Sequence, residues 1–174
     1  MLFVKQKRLR AVSDSGPLIH LAKIGALWLL EKLFDEILIP IEVKRETVDA
    51  GIESGYSDAE IIKEAIERGK IRVVEYKIRD LSLVEKYGVE RGEYLAIMLA
   101  IKENCVFLCD DERARELAER RGLEVRGSIG IILMALKKSL INKEQAVKYI
   151  EKLRKVMYFS EKLFEKIRKI IETM

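Results

Sequence analysis

Two cysteines, one histidine and two prolines in 174 residues exclude several kinds of protein at once. Cys105 and Cys109 would lie about 13 Å apart on an extended strand, at ~3.3 Å per residue. A disulfide needs Cα atoms within about 7 Å, so the pair reads as free, buried thiols in a reducing compartment. A lone histidine, His20, rules out zinc sites built from several imidazoles and ribonuclease chemistry with paired histidines. It also rules against a Ser/His/Asp hydrolase, and His20 itself reads as an ordinary helix residue. Long apolar runs are missing too. None reaches the ~18–20 residues of a membrane span, and the basic N-terminus lacks the ~7–15-residue apolar core of a signal peptide. The expectation is a cytoplasmic chain with no membrane partner. Asn and Gln are scarce, two of each, while charged residues make up 36%. That balance is similar to thermophile proteins.

What is present suits one domain with a full core: 49% hydrophobic residues and a mean hydropathy of −0.03. The net charge of +4 hides an asymmetry. Residues 1–10 carry four cations and no acid, and residues 137–174 carry eleven Lys/Arg against five Glu, which leaves −6 for the middle. An acidic body with basic ends suits a metal site that meets a polyanion. Solvation of the outer faces of terminal helices would explain the same cations.

Apolar segments alternate in length and period. Leu9–Ser13 predicts a strand and Asp14-Ser15-Gly16-Pro17 the turn after it, with Pro17 in the first turn of a helix and Ser15 or Gly16 near its cap. Gly25 ends or kinks that helix before a second one over Trp28–Leu33. A strand over Phe34–Ile39 stops at Pro40, and a helix over Glu42–Ala50 closes near Gly51. Ser57 with Glu60 predicts a capping box for a helix ending at Gly69. Ile71–Glu75 is a short strand, and Ser82–Tyr87 a short helix. Gly92–Glu103 is apolar almost all round, so that helix is buried. Val106–Cys109 is a continuous apolar strand, as in the centre of a parallel sheet. A charged helix over Asp111–Arg121, a strand over Leu123–Arg126 and a helix capped by Ser128 follow. Asn142 with Gln145 opens a helix running to about Met157, and Ser160 caps a last one. Val147, Ile150, Leu153 and Met157 form one apolar stripe, and Leu163, Phe164, Ile167, Ile170 and Ile171 a second. These stripes pack on the body or on a second copy of the chain.

The expected fold is α/β, with a mostly parallel central sheet covered on both sides. In such sheets ligands bind beyond the carboxyl ends of the strands, where the strand order reverses. Five acids fall at the punctuation points of this pattern: Asp14, Glu46, Glu93, Asp110 and Asp111. A buried, unpaired carboxylate costs several kcal/mol. Where several converge without an equally placed cation, a hard divalent ion such as Mg2+ or Mn2+ is the fitting partner. A haloacid-dehalogenase phosphatase would need a second acid at Gly16. A phosphorelay receiver would need its acid pair after the first strand. No glycine-rich nucleotide loop is present.

The segments VSDSGPLIHLAKIG, IPIEVKRE, VERGEYLAIMLAIKENCVFLCDDERAR and LEVRGSIGIILMALKKSLI, in that order over roughly residues 10–141, resemble a PIN domain. They resemble in particular the VapC-like prokaryotic branch with Gly-Glu before the apolar helix and Asp-Asp after the next strand. The resemblance implies an RNase H-like three-layer α/β/α sandwich over 1–141, with residues 142–174 a helical extension packed on it. It implies a Mg2+- or Mn2+-dependent ribonuclease, with RNA as substrate, an antitoxin protein as candidate partner and a homodimer as the assembly. By position, Asp14, Glu46, Glu93 and Asp111 are the implied catalytic acids. Asp14, Glu93, Asp110 and Asp111 are the implied metal ligands, with the Ser15 and Ser128 hydroxyls beside them. The resemblance puts a small polar or acidic residue where Ser128 stands, and without an acid there it implies a weaker second metal position.

Each acid also has a purely structural explanation. Asp14, Asp110 and Asp111 could cap helices, and Glu93 could favour a helix N-terminus. A nuclease-inactive RNA- or protein-binding module on the same fold is the alternative function. The case for catalysis is the ordered set, not any single residue.

Overall fold

The structure is a computed structural model, and it describes residues 9–79 and 81–174. Its sheet has five strands, all parallel: β1 (Arg10–Ser13), β2 (Glu36–Pro40), β3 (Ile71–Val74), β4 (Val106–Leu108) and β5 (Val125–Arg126). The spatial order is β3-β2-β1-β4-β5. The chain therefore builds outward from β1 through β2 to β3, then returns to place β4 on the free side of β1. The order reverses between β1 and β4, and the ends of these two strands are where a ligand site is expected. Ala11 pairs with Val106 and Ser13 with Leu108 across that seam.

Right-handed crossovers put the connecting helices on opposite faces according to the direction of travel. One layer holds α1 (Ser15–Lys23), α2 (Trp28–Leu33) and α5 (Ser57–Glu67). The return journey after α6 (Ser82–Tyr87) places α7 (Arg91–Glu103) on the other face, where it contacts β1, β2 and β4. Next to it lies α8 (Glu112–Arg120). After β5, α9 (Ser128–Lys137) crosses back to pack on α1 and α2. Then α10 (Lys143–Leu153) packs on α9, and α11 (Glu161–Thr173) on α10. The three-layer sandwich is thus present, and α7 is buried as its apolar run predicts: Leu95, Ala96, Ile97, Leu99 and Ala100 are all inaccessible or nearly so. Ala146, Ile150, Leu153, Phe164, Ile167 and Ile171 join the same hydrophobic core from α10 and α11.

Several local expectations are corrected. Between β2 and α5 the chain does not stop at Gly51. It runs from α3 (Ile41–Lys44) through a π-helical turn (Arg45–Asp49) into α4 (Ala50–Glu53). Gly51 lies inside this helical stretch because α5 presses on it. A Cβ there would meet the Ala59 Cβ at 2.6 Å, so the glycine serves close approach rather than termination. The capping box at Ser57 does not form, since Tyr56 occupies the cap position and Ser57 is the first helical residue. Likewise Gly127 caps α9, and Ser128 lies inside the helix. The Asn142–Gln145 box does form, at 2.8 and 2.9 Å. Helix α10 ends at Leu153 rather than Met157, which frees residues 154–159 to turn back toward the strand ends.

Gly51→Ala tests this packing. Its helix propensity would favour the variant by about 1 kcal/mol, but overpacking against Ala59 costs about 1–3 kcal/mol. Urea denaturation should show a net loss of roughly 1 kcal/mol, where an open helix position would show a gain.

Candidate active site

Asp14 follows the last residue of β1, and its amide donates to the Leu108 carbonyl of β4 at 2.9 Å. That bond closes the seam between the two strands and fixes the Asp14 side chain beside the end of β4. Asp14 occupies the N-cap position of α1 but makes no side-chain cap hydrogen bond. It is only 5% exposed, and among the described residues its buried Oδ1 has no partner. Its Oδ2 accepts the weak Cys109 thiol donor, at 3.7 Å. Burial pushes its pKa up to about 7; the neighbouring Glu93 and Glu46 charges push the same way, and the Ser15 amide and Cys109 thiol offset part of it. The Cys109 thiol is itself pushed far up, by its burial first and then by the Asp14 charge. Both cysteines are free.

Three more acids surround Asp14. Glu46 comes from the π-helical turn after β2 and accepts the Ser15 hydroxyl. Glu93 sits in the first turn of α7, and its Oε2 accepts the Glu90 amide at 2.7 Å in a capping box. Asp111 caps α8 by accepting the Ala114 amide at 2.9 Å. Both Glu46 and Glu93 have pKa values raised by burial of their carboxylates. Glu46 is further raised by Glu90 and Glu42, and Glu93 by Asp111, Glu90 and Glu46. Glu93 and Asp111 thus do cap helices, as their structural reading holds, yet they face a common cleft. Gly92 shapes that cleft from behind, since a Cβ there would collide with the Glu46 carboxylate.

Asp110 stands apart from this group. Its Oδ1 accepts the Ser128 amide at 2.7 Å, and its Oδ2 accepts the Ser128 hydroxyl at 2.6 Å and lies 2.8 Å from His20 Nδ1. Ser128 is fully buried, and the Asp110 carboxylate is only 7% exposed. Gly127 permits this closure, because a Cβ there would come within 2.8 Å of Asp110 Oδ1. Three of roughly four lone-pair positions are committed, so Asp110 ties the β4 end to α1 and α9.

The acids line one cleft of about 500 Å³ with Ser15, Gly16, Ile19, His20, Glu90, Met157 and Tyr158. Sequence reasoning missed His20, Met157 and Tyr158. His20 follows Gly16 by one helical turn on α1, and that spacing was a usable signal. For Met157 and Tyr158 no local signal existed, because they reach the cleft only by the early end of α10.

Among the described residues, no three His, Cys, Asp or Glu side chains are gathered closely enough to hold an ion as they stand. The chemistry of the donor set nonetheless fits a hard cation. The donors are carboxylate oxygens, no cation is paired with Asp14, and one Asp14 oxygen is buried with nothing to bond.

Comparison with known proteins comes to the same place. The profile of the family described as "DUF3368: PIN domain" matches residues 10–173. The chain belongs to the PIN-domain family. PIN domains are generally nucleases that depend on divalent metal ions, so nuclease-type chemistry is the family's expectation for this chain. Among solved structures, a PilT N-terminus domain protein from the hyperthermophilic archaeon Sulfolobus solfataricus P2 is similar in fold. It has 20% identity and a TM-score of 0.52, over 74% of this chain and 94% of the other. A domain of a functionally unknown protein from Methanocaldococcus jannaschii aligns with 23% identity and a TM-score of 0.45, over 68% and 90%. No curated protein matches the chain. Among the described residues no helix is long and apolar enough to cross a membrane.

The raised Asp14 pKa contributes to the pH dependence of the metal-free protein in the same direction as the raised Glu46 and Glu93. An unfolded Asp titrates near 3.9 and the folded Asp14 near 7. Between these values the folded state holds the extra proton, so stability falls as pH rises from about 4 to about 7 and levels off above. Thermal unfolding in EDTA should show this decline, worth a few kcal/mol. Asp14→Asn should flatten it and be the more stable protein at pH 8.

Proposed function

We propose that this PIN domain is a Mg2+- or Mn2+-dependent ribonuclease, and the observation that supports it best is the buried Asp14 carboxylate at the strand-order reversal, one oxygen of which has no partner among the described residues. A helix-capping Asp commits an oxygen to an amide of the first turn two or three residues on, as Asp111 does to Ala114; Asp14 makes no such cap bond. Asp14, Glu93 and Asp111 would hold the ion. Bound there, a divalent ion supplies Lewis-acid polarisation of a phosphate oxygen and a bound water of lowered pKa. Glu46, oriented by the Ser15 hydroxyl, orients the attacking water. Asp110, held by Ser128 and His20, positions the turn that carries Asp111. The acids exclude a bare polyanion until cation binding neutralises them, so substrate and metal binding are coupled.

The reading extends to partners. A homodimer and an antitoxin protein follow from the VapC-like resemblance. For a partner the support is a groove of about 880 Å³ where Leu136, Leu140, Ile141 and Met174 stand among Lys137, Ser139, Asn142, Lys143 and Gln145.

End-labelled single-stranded RNA incubated with Mn2+ should be cleaved, and EDTA or Asp14→Asn should lower the rate at least about 10³-fold, equivalent to roughly 4 kcal/mol. No metal-dependent cleavage by the native chain, with no Mn2+ binding, would sink the proposal in favour of an inactive binding module. Gly92→Ala is the finer probe. It displaces the flexible Glu46 side chain, so cleavage should fall by at least tenfold with the unfolding midpoint nearly unchanged.

A further inference from the structure

A second groove, of about 440 Å³, opens beside the acidic cleft and has the opposite charge. It is lined by Arg45 from the π-helical turn, Arg91 from the start of α7, and Lys77 and Arg79 from the segment after β3. Among the described residues its acids are Glu42 and Glu75, so four cations face two carboxylates. Lys77 pairs with Glu75 at 2.8 Å, and Arg91 reaches Glu42 at 3.7 Å. Neither pair accounts for Arg45 or Arg79, although Arg45 lies near enough to Glu75 to lower its pKa, behind Lys77 in effect. Lys77 is 83% exposed at its side chain, and exposed pairs of this kind are worth little in water. The cations are therefore available to an incoming anion.

The groove adjoins the cleft through neighbouring residues on the same elements. Glu42 lines the groove and raises the pKa of Glu46, which lines the cleft. Arg45 directly precedes Glu46, and Arg91 lies between Glu90 and Glu93, all on the elements that build both spaces. Tyr76, Ile78 and Leu81 line the groove beside its cations, with the Lys102 ammonium 5.2 Å from the Tyr76 ring centre. Apolar and aromatic surface interleaved with Lys and Arg fits a chain that alternates bases with phosphates.

We infer that single-stranded RNA runs from the acidic cleft into this groove, with Arg45, Lys77, Arg79 and Arg91 holding the phosphates next to the one being cut. This rests on the ribonuclease reading of the cleft and adds the path of the strand. A flexible single strand can bend from the recessed Asp14 around the Glu42–Arg91 pair. A stiff duplex cannot place one phosphate at a 5%-exposed carboxylate while following the groove.

The test is binding of a fluorescein-labelled single-stranded RNA, with Mn2+, to the Glu46→Gln protein, whose proposed ion ligands are intact, with and without Lys77→Ala and Arg79→Ala. Each phosphate contact contributes about 0.7 to the slope of log affinity against log salt for a single strand. Losing two should flatten the slope by about 1.4, which opens a gap of about 25-fold at 0.1 M salt that closes near 1 M. Lys77→Arg with Arg79→Lys should restore both slope and affinity. Unlabelled duplex RNA should compete at least tenfold more weakly than the single strand. Equal slopes with and without the two cations, duplex competing as well as single strand, or no RNA binding at all would each overturn the inference. Because binding is read rather than cleavage, failure here is separable from failure of the nuclease reading. If the native chain cleaves RNA with Mn2+ while the slopes coincide, the cleft is an active site and the groove is not its path.

Discussion

The hydrogen bond from the Asp14 amide to the Leu108 carbonyl joins the ends of two strands that are far apart in sequence and adjacent in the sheet. From that seam the Asp14 carboxylate is carried into a space closed by α1, α7 and the end of β4. The surrounding protein gives it little to bond: among the described residues one oxygen has no partner, and its support is limited to the Ser15 amide and the Cys109 thiol. An ionised carboxylate in that position is costly. The fold reinforces the cost by adding the Glu46 and Glu93 charges rather than a Lys or Arg. Among the described residues the other buried side-chain oxygen without a partner is Glu42 Oε2, and at Asp14 a cation is the group that would relieve the tension.

Support for the centre is layered around that point. Asp110 does not compete for the same space, because Ser128 and His20 occupy its oxygens. It works as a clasp holding the β4 end to α1 and α9, and Asp111 follows it directly at the cap of α8. Gly92 and Gly127 supply the room, one for Glu46 and the other for Asp110. Replacement of either glycine would disturb an acid before it disturbed the core.

The layers and the acid set were legible in the sequence because they follow from period and punctuation. The apolar run of α7 and the two-sided apolar β4 specify burial, and acids at strand ends and helix starts then fall at the reversal of strand order. What was not legible depends on contacts between distant segments. Gly51 looked like a helix stop, and only Ala59 pressing from α5 explains its place inside a helix. Ser57 and Ser128 looked like caps. Each falls one residue late, and Ser128 is turned inward to Asp110. His20 looked idle because its partner is ninety residues away. The stripe on α10 seemed to include Met157, yet the helix ends at Leu153 and sends Met157 and the 91%-exposed Tyr158 to the cleft instead.

A crystal of the protein soaked in Mn2+ and measured for anomalous scattering tests the central claim most directly. The account predicts a manganese peak within about 2.1 Å of Asp14 Oδ1, with Glu93 and Asp111 completing its protein ligands. A fully occupied manganese elsewhere with the cleft left empty, or an Asp14 carboxylate that stays protonated and unligated above pH 8 in saturating Mn2+, would contradict it.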